Sequence, residues 1–134
     1  MADTVQVFTR DDGGVSSLRM RDDSGRIHYI TGPQIVADST NARATADGDN
    51  GRSIYYTAAT AAPVAITVNS GTPGTFSKHT QVGTDQLQFT AGAGVTLRVP
   101  AAFLARAAQQ YSAVVLEWRT ATEVFVSGDL EPAP

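Results

Sequence analysis

Chain-reversing clusters recur along this sequence at short intervals and leave little room for long elements. They are Asp11-Asp12-Gly13-Gly14, Asp22-Asp23-Ser24-Gly25, Gly32-Pro33, Asp47-Gly48-Asp49-Asn50-Gly51, Ser70-Gly71-Thr72-Pro73-Gly74, Gly83-Thr84-Asp85 and Ala91-Gly92-Ala93-Gly94. Gly, Asn and Asp tolerate positive φ, and proline fixes φ, so each cluster reverses the chain. Between them lie short stretches rich in Val, Ile, Thr, Tyr and Phe. Several alternate with period two: Val64, Ile66 and Val68 against Ala65 and Thr67; Leu87 and Phe89 against Gln86, Gln88 and Thr90; Val95, Leu97 and Val99 against Thr96 and Arg98. Alternation of this kind marks strands with one buried and one wet face. Further strands are predicted at 4–9, 15–21, 26–31, 34–37, 53–57, 78–82, 112–119 and 123–127. The expected class is all-β, an antiparallel sandwich of jelly-roll type.

Composition narrows the function. The hydrophobic fraction is 42%, and alanine is its largest contributor. Large apolar side chains are therefore thinly supplied, which suits a many-turned β protein that completes its burial against a partner. The chain has no cysteine, so disulfides, thiolate metal sites and cysteine nucleophiles are excluded. The net charge is −3, with Lys78 the single lysine, which disfavours nucleic acid as a partner. No apolar run approaches the ~18–20 residues of a membrane span. The opening Met1-Ala2-Asp3-Thr4 lacks the basic and apolar regions of a signal peptide.

The organisation reads as an N-terminal β-hairpin arm over residues 1–36, a small polar linker at 37–50, a body at 51–130 and an extended tail at 131–134. The arm contains a near-repeat, Arg10-Asp11-Asp12-Gly13-Gly14 and Arg21-Asp22-Asp23-Ser24-Gly25, read as two hairpin turns. The alanine-rich stretch Pro100–Gln110 reads as a short helix near 101–110, with an irregular crossover as the alternative.

No catalytic constellation emerges. The histidines, His28 and His79, are far apart and read as surface or interface residues. Ser77 and His79 share a strand face, but a nucleophile also needs an orienting group. Asp47-Gly48-Asp49-Asn50-Gly51 faintly resembles a calcium loop, yet the position of its bidentate glutamate falls at Ala58. The glycine pairs at 71–74 and 92–94 lack the lysine of a phosphate loop and read as β turns. The reading is of a non-enzyme with no cofactor and no metal.

One resemblance is carried by ordered motifs: Asp49-Asn50-Gly51-Arg52-Ser53-Ile54-Tyr55-Tyr56, Val64-Ala65-Ile66-Thr67-Val68, Gly74-Thr75-Phe76-Ser77, and Phe89-Thr90-Ala91-Gly92-Ala93-Gly94-Val95-Thr96-Leu97. Gln110-Tyr111-Ser112-Ala113-Val114-Val115-Leu116 and Val124-Phe125-Val126-Ser127-Gly128-Asp129-Leu130 complete the order. The stretch 49–130 resembles a small β domain of tailed-bacteriophage virion proteins, found in capsid decoration, head-fibre and tail-fibre chains. Pro100–Gln110 departs from the family, where a shorter glycine-containing turn is usual. The resemblance implies a non-catalytic virion subunit, a capsid decoration (cement) or head-fibre protein on the outer capsid surface. Its implied partners are the major capsid protein and itself, as a homotrimer. The alternatives are a tail-fibre or baseplate receptor-binding component, with host-surface glycan as ligand, and a carbohydrate-binding β module. Candidate interface residues are Val5, Val7, Phe8, Leu18, Met20, Tyr55, Tyr56, Phe103, Tyr111 and Trp118; aromatics of these types are enriched at protein contacts.

Overall fold

A computed structural model describes residues 6–12, 15–22, 24–29 and 35–134. The chain divides into two compact units, Met1–Gln34 and Ile35–Pro134. The first is an antiparallel sheet of β1 (Gln6–Asp12), β2 (Val15–Arg21) and β3 (Ile27–Tyr29), in that order. The second Asp-rich cluster is the turn the sequence predicts. Asp22 Oδ1 accepts hydrogen bonds from the Ser24 amide, the Ser24 hydroxyl and the Arg26 amide, and Gly25 takes φ +82°.

The second unit alternates between two sheets as the chain advances. Its strands are β4 (Ile35–Asp38), β5 (Ala42–Ala44), β6 (Ser53–Tyr56), β7 (Val64–Val68), β8 (Phe76–Gln81), β9 (Leu87–Ala91), β10 (Thr96–Arg98), β11 (Phe103–Ala107), β12 (Ala113–Trp118), β13 (Glu123–Gly128) and β14 (Leu130–Pro132), with one 3-10 turn at Asp47–Asp49. One sheet runs β10-β13-β12-β8-β6-β4 and the other β14-β11-β9-β7-β5. Within them β4, β6 and β8 are parallel neighbours, as are β5, β7 and β9. Each successive pair of strands is thus one turn of a solenoid-like stack. The register repeats as it rises: Ala42 opposes Ala65, which opposes Gln88. Beyond the third turn the pairing is mixed: β12 is antiparallel to both β8 and β13, and β11 to both β9 and β14, while β10 is parallel to β13.

The all-β class is as the sequence indicates, but several expectations differ. Antiparallel pairing holds at β12 and β13 and gives way to parallel pairing in the stack, because the turns at 57–63 and 82–86 carry the chain to the opposite sheet instead of folding it back beside itself. The same holds at Gly92 and Gly94: β9 and β10 lie in different sheets, so this turn is a corner between layers and not a hairpin. The 37–50 segment, expected as a linker, supplies β5 and the 3-10 turn, and β4 begins the stack at Ile35. Phe103–Ala107 is a strand instead of a helix, because β14 and β9 offer it hydrogen-bonding edges on both sides. Non-local pairing here outweighs alanine's helical preference, which amounts to only tenths of a kcal/mol per residue. Leu130–Pro132, at the start of the expected tail, is β14, and the Ala133 amide donates to the Ala102 carbonyl at 2.9 Å.

The core lies between the two sheets and is built from the alternating positions. Ile54, Val64, Ile66, Val68, Leu87, Val114, Leu116 and Val124 are fully buried. Trp118 closes one end, its indole N–H donating to the Asn69 carbonyl at 3.0 Å. Gly71 lies against that ring; a Cβ there would stand 2.7 Å from the indole nitrogen, so only glycine fits.

Candidate functional site

One polar cluster of the body faces inward. Ser77 and His79 project from the core side of β8 and Tyr56 from the core side of the neighbouring β6, because inward positions recur at every second residue. The Tyr56 hydroxyl lies 2.9 Å from His79 Nδ1, and the Ser77 hydroxyl 2.9 Å from His79 Nε2. Phe89, from the facing sheet, packs edge-on against the imidazole with centroids 5.5 Å apart. All three polar residues are sealed, at 0–1% exposure. Burial pulls the His79 pKa down to about 3, with the nearby Arg43 charge adding to the effect. Burial likewise pushes the Tyr56 phenol well above its usual range. The imidazole is therefore neutral near pH 7. One ring nitrogen donates to a hydroxyl and the other accepts from one. The arrangement has the residue types of a Ser–His pair but no route for a substrate.

Two further clusters fix the first turns of the stack. Arg43 points inward from β5, donating to Asp38 at 2.9 Å and pairing with Asp49. Asp38 is held below the usual carboxylate range: burial opposes this, but hydrogen bonds from Thr40 and Arg43 outweigh it. Asp49 also accepts from the Ala46 amide, so the faint calcium-loop motif closes on an arginine. An inward-pointing charge at the outermost turn limits how far the stack can extend. Asp85 is ringed by donors: the Thr60 amide at 2.7 Å, the Thr60 hydroxyl, the Asn41 amide group and the Ala61 amide. The Thr60 amide hydrogen bond leads the causes that hold its carboxyl below the usual range.

The outer surface is apolar in places. A cross-strand row on the outer face of the larger sheet reads Phe76, Glu117, Phe125, Arg98. Phe76 and Phe125 are exposed at 53% and 41%. Beyond β13, Arg98 and Arg119 both bind Glu123, at 2.7 and 2.5 Å, and lead the causes holding its carboxyl low. At the far end of the body, Phe103, Gln109, Gln110, Tyr111, Asp129 and Leu130 line a shallow groove of about 540 Å³.

The residues singled out in the sequence divide between these settings. Tyr56 and Trp118 are core residues, not surface ones, because their strand parity turns them inward. His79, expected at a surface or interface, is likewise buried. Phe103 and Tyr111 are exposed and share the groove. Tyr55 is half-buried on the outer face of β6. In the first unit Val7 is exposed, Met20 is half-buried, and the Arg21 guanidinium sits 5.9 Å above the Phe8 ring. Val5 and the side chains of Leu18 and His28 lie outside the described residues. Sequence reasoning did not single out Arg43, Gln109 or Asp129 as site residues. For Arg43 a signal existed, an arginine between small residues in a short alternating run.

Among the described residues, no group of three His, Asp or Glu side chains is placed to hold a metal ion. No protein-family model and no characterised protein matches this sequence.

Proposed function

We propose that the protein is a non-catalytic structural subunit of a phage virion, a capsid decoration or head-fibre protein that binds the major capsid protein and assembles as a homotrimer. The observation that carries this reading is the division of the body's chemistry. The Tyr56 and Ser77 hydroxyls and the His79 imidazole are sealed in the core, while Phe76 and Phe125 are exposed on the outer face of the larger sheet. Large exposed aromatics on a rigid sheet suit burial against another protein surface. The resemblance of the ordered motifs to those of virion β domains is what suggests the kind of assembly. A contact of standard size would bury roughly 1,600 Å² in total.

The test is addition of the purified chain to phage heads that lack it. Sedimentation with heads, a solution mass of three chains, and loss of head binding in the Phe76→Ser/Phe125→Ser variant are expected. A monomer that ignores heads refutes the reading. Binding to host cells in place of heads moves the protein to the tail, a reading favoured by the aromatic-lined groove around Tyr111.

A further inference from the structure

We infer that the groove at the β11, β12 and β13 end of the body is a binding site for a neutral saccharide. The inference stands on the groove itself and does not rest on the virion reading. Tyr111 is 72% exposed, the most exposed of the large hydrophobic residues among the described residues. Its backbone lies in the left-handed region at φ +69°. A non-glycine residue pays strain there, and such outliers cluster where a side chain must be presented in a fixed direction. Phe103, 40% exposed, lines the same groove. Leu130 is buried at its wall.

The loop carrying Tyr111 is fastened on every side. The Tyr111 amide donates to the Gln81 carbonyl at 2.7 Å, and the Gln110 side-chain amide donates to the Val82 carbonyl at 2.8 Å. The Ala108 amide donates to the Asp129 carbonyl at 3.0 Å, and the Asp129 amide to the Ala113 carbonyl at 2.9 Å. Gly128 makes this close crossing: at φ +109°, a Cβ would fall 2.3 Å from the Ala113 carbonyl oxygen. A loop held in this way loses little further freedom on binding.

The lining defines the ligand. Two exposed aromatic residues, Tyr111 and Phe103, supply apolar surface to the groove, and Gln109 and Asp129 line it with them and carry hydrogen-bonding groups. No Lys or Arg lines the groove, and Asp129 is its one charge, which selects against anionic ligands. A molecule with an apolar face and a rim of hydroxyls, carrying no charge, is a neutral sugar. The volume of about 540 Å³ holds a short oligosaccharide segment.

The experiment is titration of the 15N-labelled full chain with cellotriose, chitotriose and lactose, with sialyllactose as the anionic counterpart. Shifts confined to the amides of 108–112 and 128–130, saturating at millimolar sugar and weaker for sialyllactose, are expected with at least one neutral sugar. Tyr111→Gly relieves the backbone strain, so it folds and yet binds about tenfold more weakly or not at all; Tyr111→Phe keeps the ring and binds within about twofold of the parent. Lys78→Ala, at an outward position of β8 away from the groove, leaves binding unchanged. The inference is overturned if none of the neutral sugars shifts the groove amides, or if Tyr111→Gly binds as well as the parent.

Discussion

Acid should destabilise this protein in part through His79, and the sign and size of that part can be worked from its surroundings. The free imidazole titrates near 6.5, and burial lowers the folded value to about 3. Between those values the unfolded chain holds a proton that the folded chain refuses. Stability is therefore greatest above the unfolded value and falls as pH drops through 6.5 toward 3. The limiting slope is about 1.4 kcal/mol per pH unit, so two units of acidification cost up to about 3 kcal/mol. That is a large share of the ~5–15 kcal/mol available to a domain. The assay is urea unfolding from about pH 7.5 to about pH 4.5, followed by the fluorescence of Trp118, the single tryptophan, which is buried in the body. The reference is His79→Gln, which keeps hydrogen-bonding groups between Tyr56 and Ser77 but cannot titrate. At neutral pH the variant is weaker by about 1–3 kcal/mol, from imperfectly satisfied hydroxyls. As the pH falls the gap narrows, because only the parent chain must refuse a proton. A gap that stays constant across the whole range refutes the reasoning.

Other outcomes follow from the remaining contacts. Arg43→Ala leaves Asp38 and Asp49 without their cation and lowers stability by roughly 1–3 kcal/mol, whereas Arg43→Met in an Asp38→Asn/Asp49→Asn background recovers much of it; chemical denaturation distinguishes them. Gly71→Ala drives a methyl into the Trp118 indole, costing about 1–3 kcal/mol and shifting the tryptophan emission to the red. Asp85→Asn removes the charge its ring of donors was built for and lowers the melting temperature, and the deficit shrinks in acid as the parent carboxyl protonates. The Phe76→Ser/Phe125→Ser variant lowers the melting temperature only slightly, since both rings are about half in solvent, and its main loss is one of association.

The expected strands in the body at 53–57, 64–69, 78–82, 86–90, 112–119 and 123–127 all have counterparts, because period-two alternation is a local property that survives any topology. The missed strands are instructive. Ala42–Ala44, Phe103–Ala107 and Leu130–Pro132 are short and dominated by alanine or bounded by proline. Their strand state is imposed by a neighbouring edge that has no trace in the local sequence. The same distance in sequence hid the candidate site. Phe103 and Tyr111 were visible as aromatics, but Asp129 reaches their groove only through the crossing at Gly128 and Ala113.

By itself, then, the sequence determined the class, the turns and which residue of each clear strand faces inward, since these depend on neighbours within a few positions. The tertiary structure alone decided direction and partnership. Whether a turn returns a strand beside its predecessor or carries it to the opposite sheet is settled by where the apolar faces can both be covered. That choice made the stack parallel and sealed His79 between Tyr56 and Ser77. It also left Tyr111 standing outside, because the loop before β12 must hold to Gln81 and Val82 on β8 and the turn beyond it before the next strand can pair.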